Sequence, residues 1–202
     1  MPYAVIYALI GYLSGSVLYA EVFCRIFGRK NAIEQSRDAN PGTANAFLYG
    51  GFWCGICTLI FDMAKGFVPV YAYVHMTQMN LAESNGLALV LAAPVAGHIF
   101  PVWHHFKGGK GIAVSFGVLL ALFPIWKPVL LLAFFYILFS VVFKIRSHRR
   151  RSIVTFGCFC VGCLSLVPIP AILLGCVLIS CIVIYKHHLM EEKSNESANL
   201  IL

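Results

Sequence analysis

Charge is scarce in this chain of 202 residues: Asp, Glu, Lys and Arg make up 11% of it, against 60% hydrophobic residues. A soluble domain carries roughly a quarter charged residues, because its core must be wrapped in surface that water solvates. That shortage excludes an ordinary soluble domain and leaves a protein dissolved in a bilayer. There, apolar surface is acceptable everywhere provided each backbone N–H and C=O is paired inside a helix or a closed barrel. The mean hydropathy is +0.83, and the long uninterrupted apolar runs favour helices over barrel strands.

Acidic residues are the scarcer sign, 8 against 15 basic ones, for a formal net charge of +7. The basic residues sit in short clusters between apolar runs and not along one polar face, so they read as topology signals, and nucleic acid is not an expected partner. No disulfide framework is expected, because all eight cysteines fall inside or at the edge of apolar segments. Neither Cys54 with Cys57 nor Cys158, Cys160 and Cys163 has a histidine or carboxylate close in sequence, so small packing residues are the better reading than metal ligands. Met1-Pro2-Tyr3 lacks the basic start of a secretory signal, and the run it opens has no small-residue cleavage site; a retained first span is expected. No Walker A loop, Gly-x-Ser-x-Gly elbow, His-Glu-x-x-His pair or acidic metal cluster is present, and neither a cofactor nor a metal is expected. No internal repeat appears.

What is present is organised as apolar runs of about 20 residues. They predict an all-α polytopic protein with seven transmembrane helices near 3–24, 50–74, 86–103, 111–126, 128–144, 152–167 and 171–186. One membrane-embedded domain over 1–190 and a loose cytoplasmic tail over 191–202 are expected. Basic residues sort by loop: Arg25, Arg29, Lys30 and Arg37 follow the first span, and Lys107 and Lys110 the third. Lys144, Arg146, Arg149, Arg150 and Arg151 follow the fifth, and Lys186 and Lys193 the seventh, which leaves only Lys65 and Lys127 elsewhere. The amino terminus is therefore expected outside and the carboxyl terminus in the cytoplasm.

Two polar loops then face the cytoplasm. In Lys107-Gly108-Gly109-Lys110-Gly111, glycines let backbone amides converge on an anion and each ammonium adds charge in poorly screening surroundings. Snorkelling lysines are the plain alternative, but they give no reason for three glycines in five residues. Ser36 to Asn45 precedes the second span and is richer in donors than helix capping requires. Asp62 and Lys65, three apart on one helical face, are expected to form a structural ion pair. Taken alone, His98 reads as a hydrogen-bonded packing residue, and His104 with His105 make a poor metal clamp.

Gly15-Ser16, Asn40-Pro41-Gly42-Thr43-Ala44-Asn45, Asp62-Met63-Ala64-Lys65-Gly66 and Gly97-His98 through Gly111 occur in that order. With these motifs the chain resembles the bacterial acyl-phosphate:glycerol-3-phosphate acyltransferases over about Tyr12 to Leu120. The resemblance implies a seven-helix enzyme of the bacterial inner membrane with its site facing the cytoplasm. It would move a fatty acyl group from acyl phosphate to glycerol 3-phosphate, making lysophosphatidic acid for phospholipid biosynthesis. It further implies Lys110, His98 and Asn45 as catalytic candidates. Lys107, the amides of Gly108, Gly109 and Gly111, and Asn40, Gly42, Thr43, Arg37 and Ser16 are implied as substrate-binding. The acceptor loop departs from the family pattern at several positions; among them Asp38 stands in place of a hydroxyl and Leu48 in place of an arginine. A different phosphorylated acceptor or an anion transporter are the alternative readings.

Overall fold

The computed structural model describes residues 2–36, 38–76, 84 and 86–199, with backbone only for residue 2 and 190–199. Arg37, one of the expected substrate-binding residues, lies outside the described residues. Helices run α1 Pro2–Gly15, α2 Tyr19–Ile26, α3 Thr43–Asn45, α4 Phe52–Met76, α5 Leu87–Ile99, α6 Ile112–Leu120, α7 Lys127–Ile137, α8 His148–Leu166 and α9 Pro170–Asn199. A π turn at Ala46–Gly50 follows α3, another at Leu138–Val142 extends α7, and a 3-10 turn covers Val102–His104. No strand occurs among the described residues.

Among the described residues, four segments are long and apolar enough to cross a membrane: Tyr3–Ile26, Phe52–Met76, Leu87–His104 and Pro170–Leu189. Lys127–Val142 is apolar but shorter. Within the fourth expected span, 111–126, only the nine residues of α6 are helical, a rise of about 14 Å, or half a hydrocarbon core. α9 continues through Asn199, into the stretch expected to be a loose tail. Glu191, Glu192 and Lys193 are good helix formers, and they carry the helix on past its apolar part.

Contacts fix the relative directions of the helices. Tyr7 stacks edge-on to Tyr73, and Ser14 Oγ donates to the Lys65 carbonyl, so α1 and α4 are antiparallel. A Cβ on Gly86 would meet Ala4 and one on Gly11 would meet Pro94, while Ser16 Oγ accepts from Val102 N–H; α1 and α5 run in parallel. Gly175 lies against Leu91, and Tyr185 against Phe100, which sets α9 parallel to α5. Gly162 meets Leu131, and Tyr136 bonds Ser152, which sets α7 antiparallel to α8. Cys163 meets Cys176 and Cys160 faces Cys181, which sets α8 antiparallel to α9; α5 and α7 therefore point the same way, and the chain between them returns through α6.

Glycines on both helices make the α1–α5 crossing possible. A Cβ on Gly15 would stand 2.2 Å from the Pro94 carbonyl oxygen, and one on Gly97 2.1 Å from that of Tyr12. Backbones approach this closely in membrane helices only through small residues. Gly97→Ala is expected to cost about 1–3 kcal/mol, read as a lower unfolding midpoint in detergent; an unchanged midpoint would show that the α1–α5 crossing adapts. The eight cysteines are free thiols, Cys24 and Cys54 touching at 3.3 Å between sulfurs.

Candidate active site

Helix α1 ends at Gly15, and the non-helical turn at Val17 leaves a carbonyl free of the helical ladder. Lys65 donates to that carbonyl. The same ammonium pairs with Asp62 Oδ1 at 2.8 Å and donates to His98 Nδ1 at 2.8 Å. Two hydrogen bonds and an ion pair thus surround the ammonium, which is what a buried lysine needs to remain in an apolar bundle. The expected Asp62–Lys65 pair forms, and it ties the α1 break, α4 and α5 into one knot.

His98, expected as a catalytic candidate, is held in this knot. Its Nδ1 is occupied by Lys65, and its ring is 3% exposed beneath the glycine-rich loop. That loop explains its own composition. A Cβ on Gly108 would lie 2.0 Å from the His98 carbonyl oxygen, and one on Gly109 2.2 Å from His98 Nε2. The Gly108 amide donates to the Ile99 carbonyl at 3.1 Å and the Gly109 amide to that of His98 at 3.0 Å. In this structure they cap the carbonyls left open at the end of α5, and the two glycines also allow the close backbone approach. Gly111, at φ +79°, starts α6.

The second polar centre lies where the two loops meet. Lys110 Nζ donates to Asp38 Oδ2 at 2.7 Å, and Asn45 Nδ2 donates to Asp38 Oδ1 at 2.7 Å. Asn45 Nδ2 is also within 2.9 Å of Ser36 Oγ and of the Asn40 carbonyl. Asn40 Oδ1 is buried and has no hydrogen-bond partner among the described residues. Gly42 must stay small, because a Cβ there would reach the Asn40 amide nitrogen at 2.7 Å. Ala39, between Asp38 and Asn40, is left-handed at φ +45°, a conformation that costs a residue with a Cβ about 1–2 kcal/mol.

The other expected residues are placed less centrally. Thr43 Oγ1 bonds Asp62 Oδ2 at 3.5 Å, linking the two polar centres. Ser16 is fully buried, donating to Tyr12 and accepting from Val102, so it serves the α1–α5 contact. Lys107 is exposed, and so is Leu48, at 75%. Sequence reasoning missed His148 and His187, both of which feel the charge of Lys110. His187 is fully buried with neither ring nitrogen partnered among the described residues. Its one sequence signal is the Lys186-His187-His188 run at the end of the last apolar segment.

Burial alone would raise the Asp38 carboxyl, but the hydrogen bonds from Lys110 and Asn45 and the Lys110 charge outweigh it and hold it below 3.8. A carboxyl lowered on folding stabilises fully above its unfolded value and loses that contribution as pH falls through its folded value. The unfolding midpoint of the wild type should therefore exceed that of Asp38→Asn by a constant amount above about pH 5, and the gap should close on acidification. A gap that widens toward low pH would mean that the carboxylate is not stabilised by its partners.

A family model described as glycerol-3-phosphate acyltransferase matches residues 5–193. A relative of that description from Haemophilus influenzae (strain PittEE) is 35% identical over 194 residues, covering 92% of this chain and 88% of its own length. Another, from Legionella pneumophila (strain Lens), is 39% identical over 121 residues, 60% of this chain, which spans 42% of that relative's length. Among solved structures, the glycerol 3-phosphate form of PlsY (YgiH), an integral membrane glycerol 3-phosphate acyltransferase, matches with a TM-score of 0.78. The identity to it is 25%, covering 97% of this chain and 92% of that one. Its lysophosphatidic acid form shares the fold at a TM-score of 0.78 and 24% identity.

Proposed function

Since this chain belongs to the glycerol-3-phosphate acyltransferase family, we propose that it transfers a fatty acyl group from acyl phosphate to glycerol 3-phosphate. The product is lysophosphatidic acid, a precursor of phospholipids. The observation that carries this reading is the Lys110–Asn45 donor pair, brought together from two loops at the start of α6. A helix N-terminus with an ammonium beside it attracts phosphate.

The chemistry asks little more of the protein. The acceptor hydroxyl oxygen bonds to the acyl carbon, the bond from that carbon to the phosphate oxygen breaks, and inorganic phosphate leaves. A phosphate oxygen takes the hydroxyl proton. Phosphate is a good leaving group, so charge neutralisation and alignment supply the catalysis without a protein nucleophile. Lys110 neutralises, Asn45 orients, Asn40 Oδ1 is an acceptor for a substrate hydroxyl, and Lys107 adds charge at the rim. Arg37, Gly42 and Thr43 complete the acceptor loop. An apolar groove of 330 Å³ between α6 and α7, lined by Phe116, Ala133, Tyr136, Ile137, Ser140 and Val141, suits the acyl chain.

In the membrane, we propose seven crossings, with α6 and the turns after it serving as the short fourth. The amino terminus is outside, and residues 1–190 form one domain of a bacterial inner-membrane protein. The clustering of lysine and arginine at one end of alternating helices supports this, and it turns the site toward the cytoplasm. The test is direct: purified protein given palmitoyl phosphate and radiolabelled glycerol 3-phosphate forms labelled lysophosphatidic acid. No product above a boiled control would overturn the reading.

A further inference from the structure

We propose that the Asp38 carboxylate occupies the seat of the acceptor's phosphate, so that the acceptor binds by displacing a tethered anion. The inference rests on reading Lys110 and Asn45 as the phosphate-holding pair. Each Asp38 oxygen takes one of their donors, both at 2.7 Å, the way two oxygens of a phosphate would. These are charge-assisted hydrogen bonds, and a lysine and an amide facing an empty seat would hold them with any oxyanion. The carboxyl stays ionised, because Lys110 and Asn45 hold it below its ordinary value.

A general base is the rival role for Asp38, and the geometry disfavours it. Lowered basicity and two oxygens already accepting hydrogen bonds make a poor proton acceptor. As a tethered anion, Asp38 explains more. Phosphate and carboxylate cannot share one ammonium without repulsion, so Asp38 has to leave, and its side chain, 34% exposed, has room on the solvent side. The Asn40 backbone N–H donates to Asp38 Oδ1 at 3.4 Å, and its own Oδ1 is buried with no partner among the described residues, an acceptor for a donor that Asp38 does not supply and an alcohol does.

The displacing ligand must bring more charge than the occupant. The substrate class is therefore a phosphate monoester dianion bearing a hydroxyl, and a three-carbon hydroxy acid such as glycerate, a second carboxylate, competes poorly.

Isothermal titration of detergent-solubilised protein with glycerol 3-phosphate, without acyl donor, tests this separately from catalysis. Asp38→Ser and Asp38→Asn are both expected to bind roughly tenfold tighter than wild type, as removal of a like charge from a seat predicts. In acyl transfer both should lower KM for glycerol 3-phosphate by a similar factor while kcat changes less than threefold. Equal affinity in wild type and variants, with catalysis intact, would overturn the tethered anion and leave the acyltransferase reading standing. Weaker binding in both variants would make Asp38 a positioning residue for Lys110. Absence of binding in all three proteins would overturn both readings of the seat. The neutral isostere in Asp38→Asn guards against a folding defect in the serine variant.

Discussion

Lys110→Ala is expected to lower kcat/KM for lysophosphatidic acid formation by roughly a hundred- to a thousandfold, the usual cost of removing one charge-stabilising donor from a site of this kind. The loss has two sources. The ammonium 2.7 Å from the anion seat disappears, and Asp38 stays behind as an unpaired carboxylate facing an incoming phosphate. Stability should hardly change, because the Lys110 and Asp38 side chains are 21% and 34% exposed and pairs open to solvent contribute little. Initial rates with palmitoyl phosphate, set beside unfolding midpoints of the same preparations, separate the two effects. A rate within threefold of wild type would remove Lys110 from the site, and an equal fall in midpoint would recast it as a structural residue. Lys110→Ala combined with Asp38→Ser should recover part of the acceptor affinity, because the residual repulsion goes with the carboxylate.

Lys65→Met acts in the opposite sense and should unfold the protein. Methionine fills much of the lysine's volume without its charge. It leaves Asp62, 2% exposed in its side chain, as an uncompensated carboxylate inside the bundle, and it strips the Val17 carbonyl and His98 Nδ1 of their donor. Breaking a buried pair by removing one partner costs about 3–5 kcal/mol, far more than the pair itself contributes. Poor recovery from membranes and a sharply lowered unfolding midpoint in detergent are the expected readouts. The double variant Asp62→Asn with Lys65→Met should regain most of that stability, because no charge is left buried. A stable single variant would show that water or lipid headgroups reach Asp62, and the knot would then be no anchor.

How much of this was legible in the sequence varies by residue, for definite reasons. The Asp62–Lys65 pair follows from a three-residue spacing on one helical face, a local relation. His98 as their third partner does not, because it lies 33 residues further on and arrives only when α5 packs beside α4. The glycines of the 107–111 loop mark unusual backbone. That the amides of Gly108 and Gly109 bond carbonyls at the end of α5 is a tertiary relation that composition cannot express. Asp38 looked like a misfit opposite a phosphate, and its partner is Lys110, 72 positions away. The shortness of α6 was hidden as well, since apolar residues continue beyond Leu120 through Phe123 without remaining helical.

By itself the sequence determined the solvent, the helical class, the approximate position of the long apolar segments and the clustering of cations between them. Each of these depends on properties that add up along the chain: transfer free energy per residue and charge per loop. Only the tertiary structure decided which polar groups meet. Helices α1 and α5 cross where Gly15 and Gly97 let backbones touch, and it is the packing of distant segments that brings Lys65 to His98 and Lys110 to Asp38.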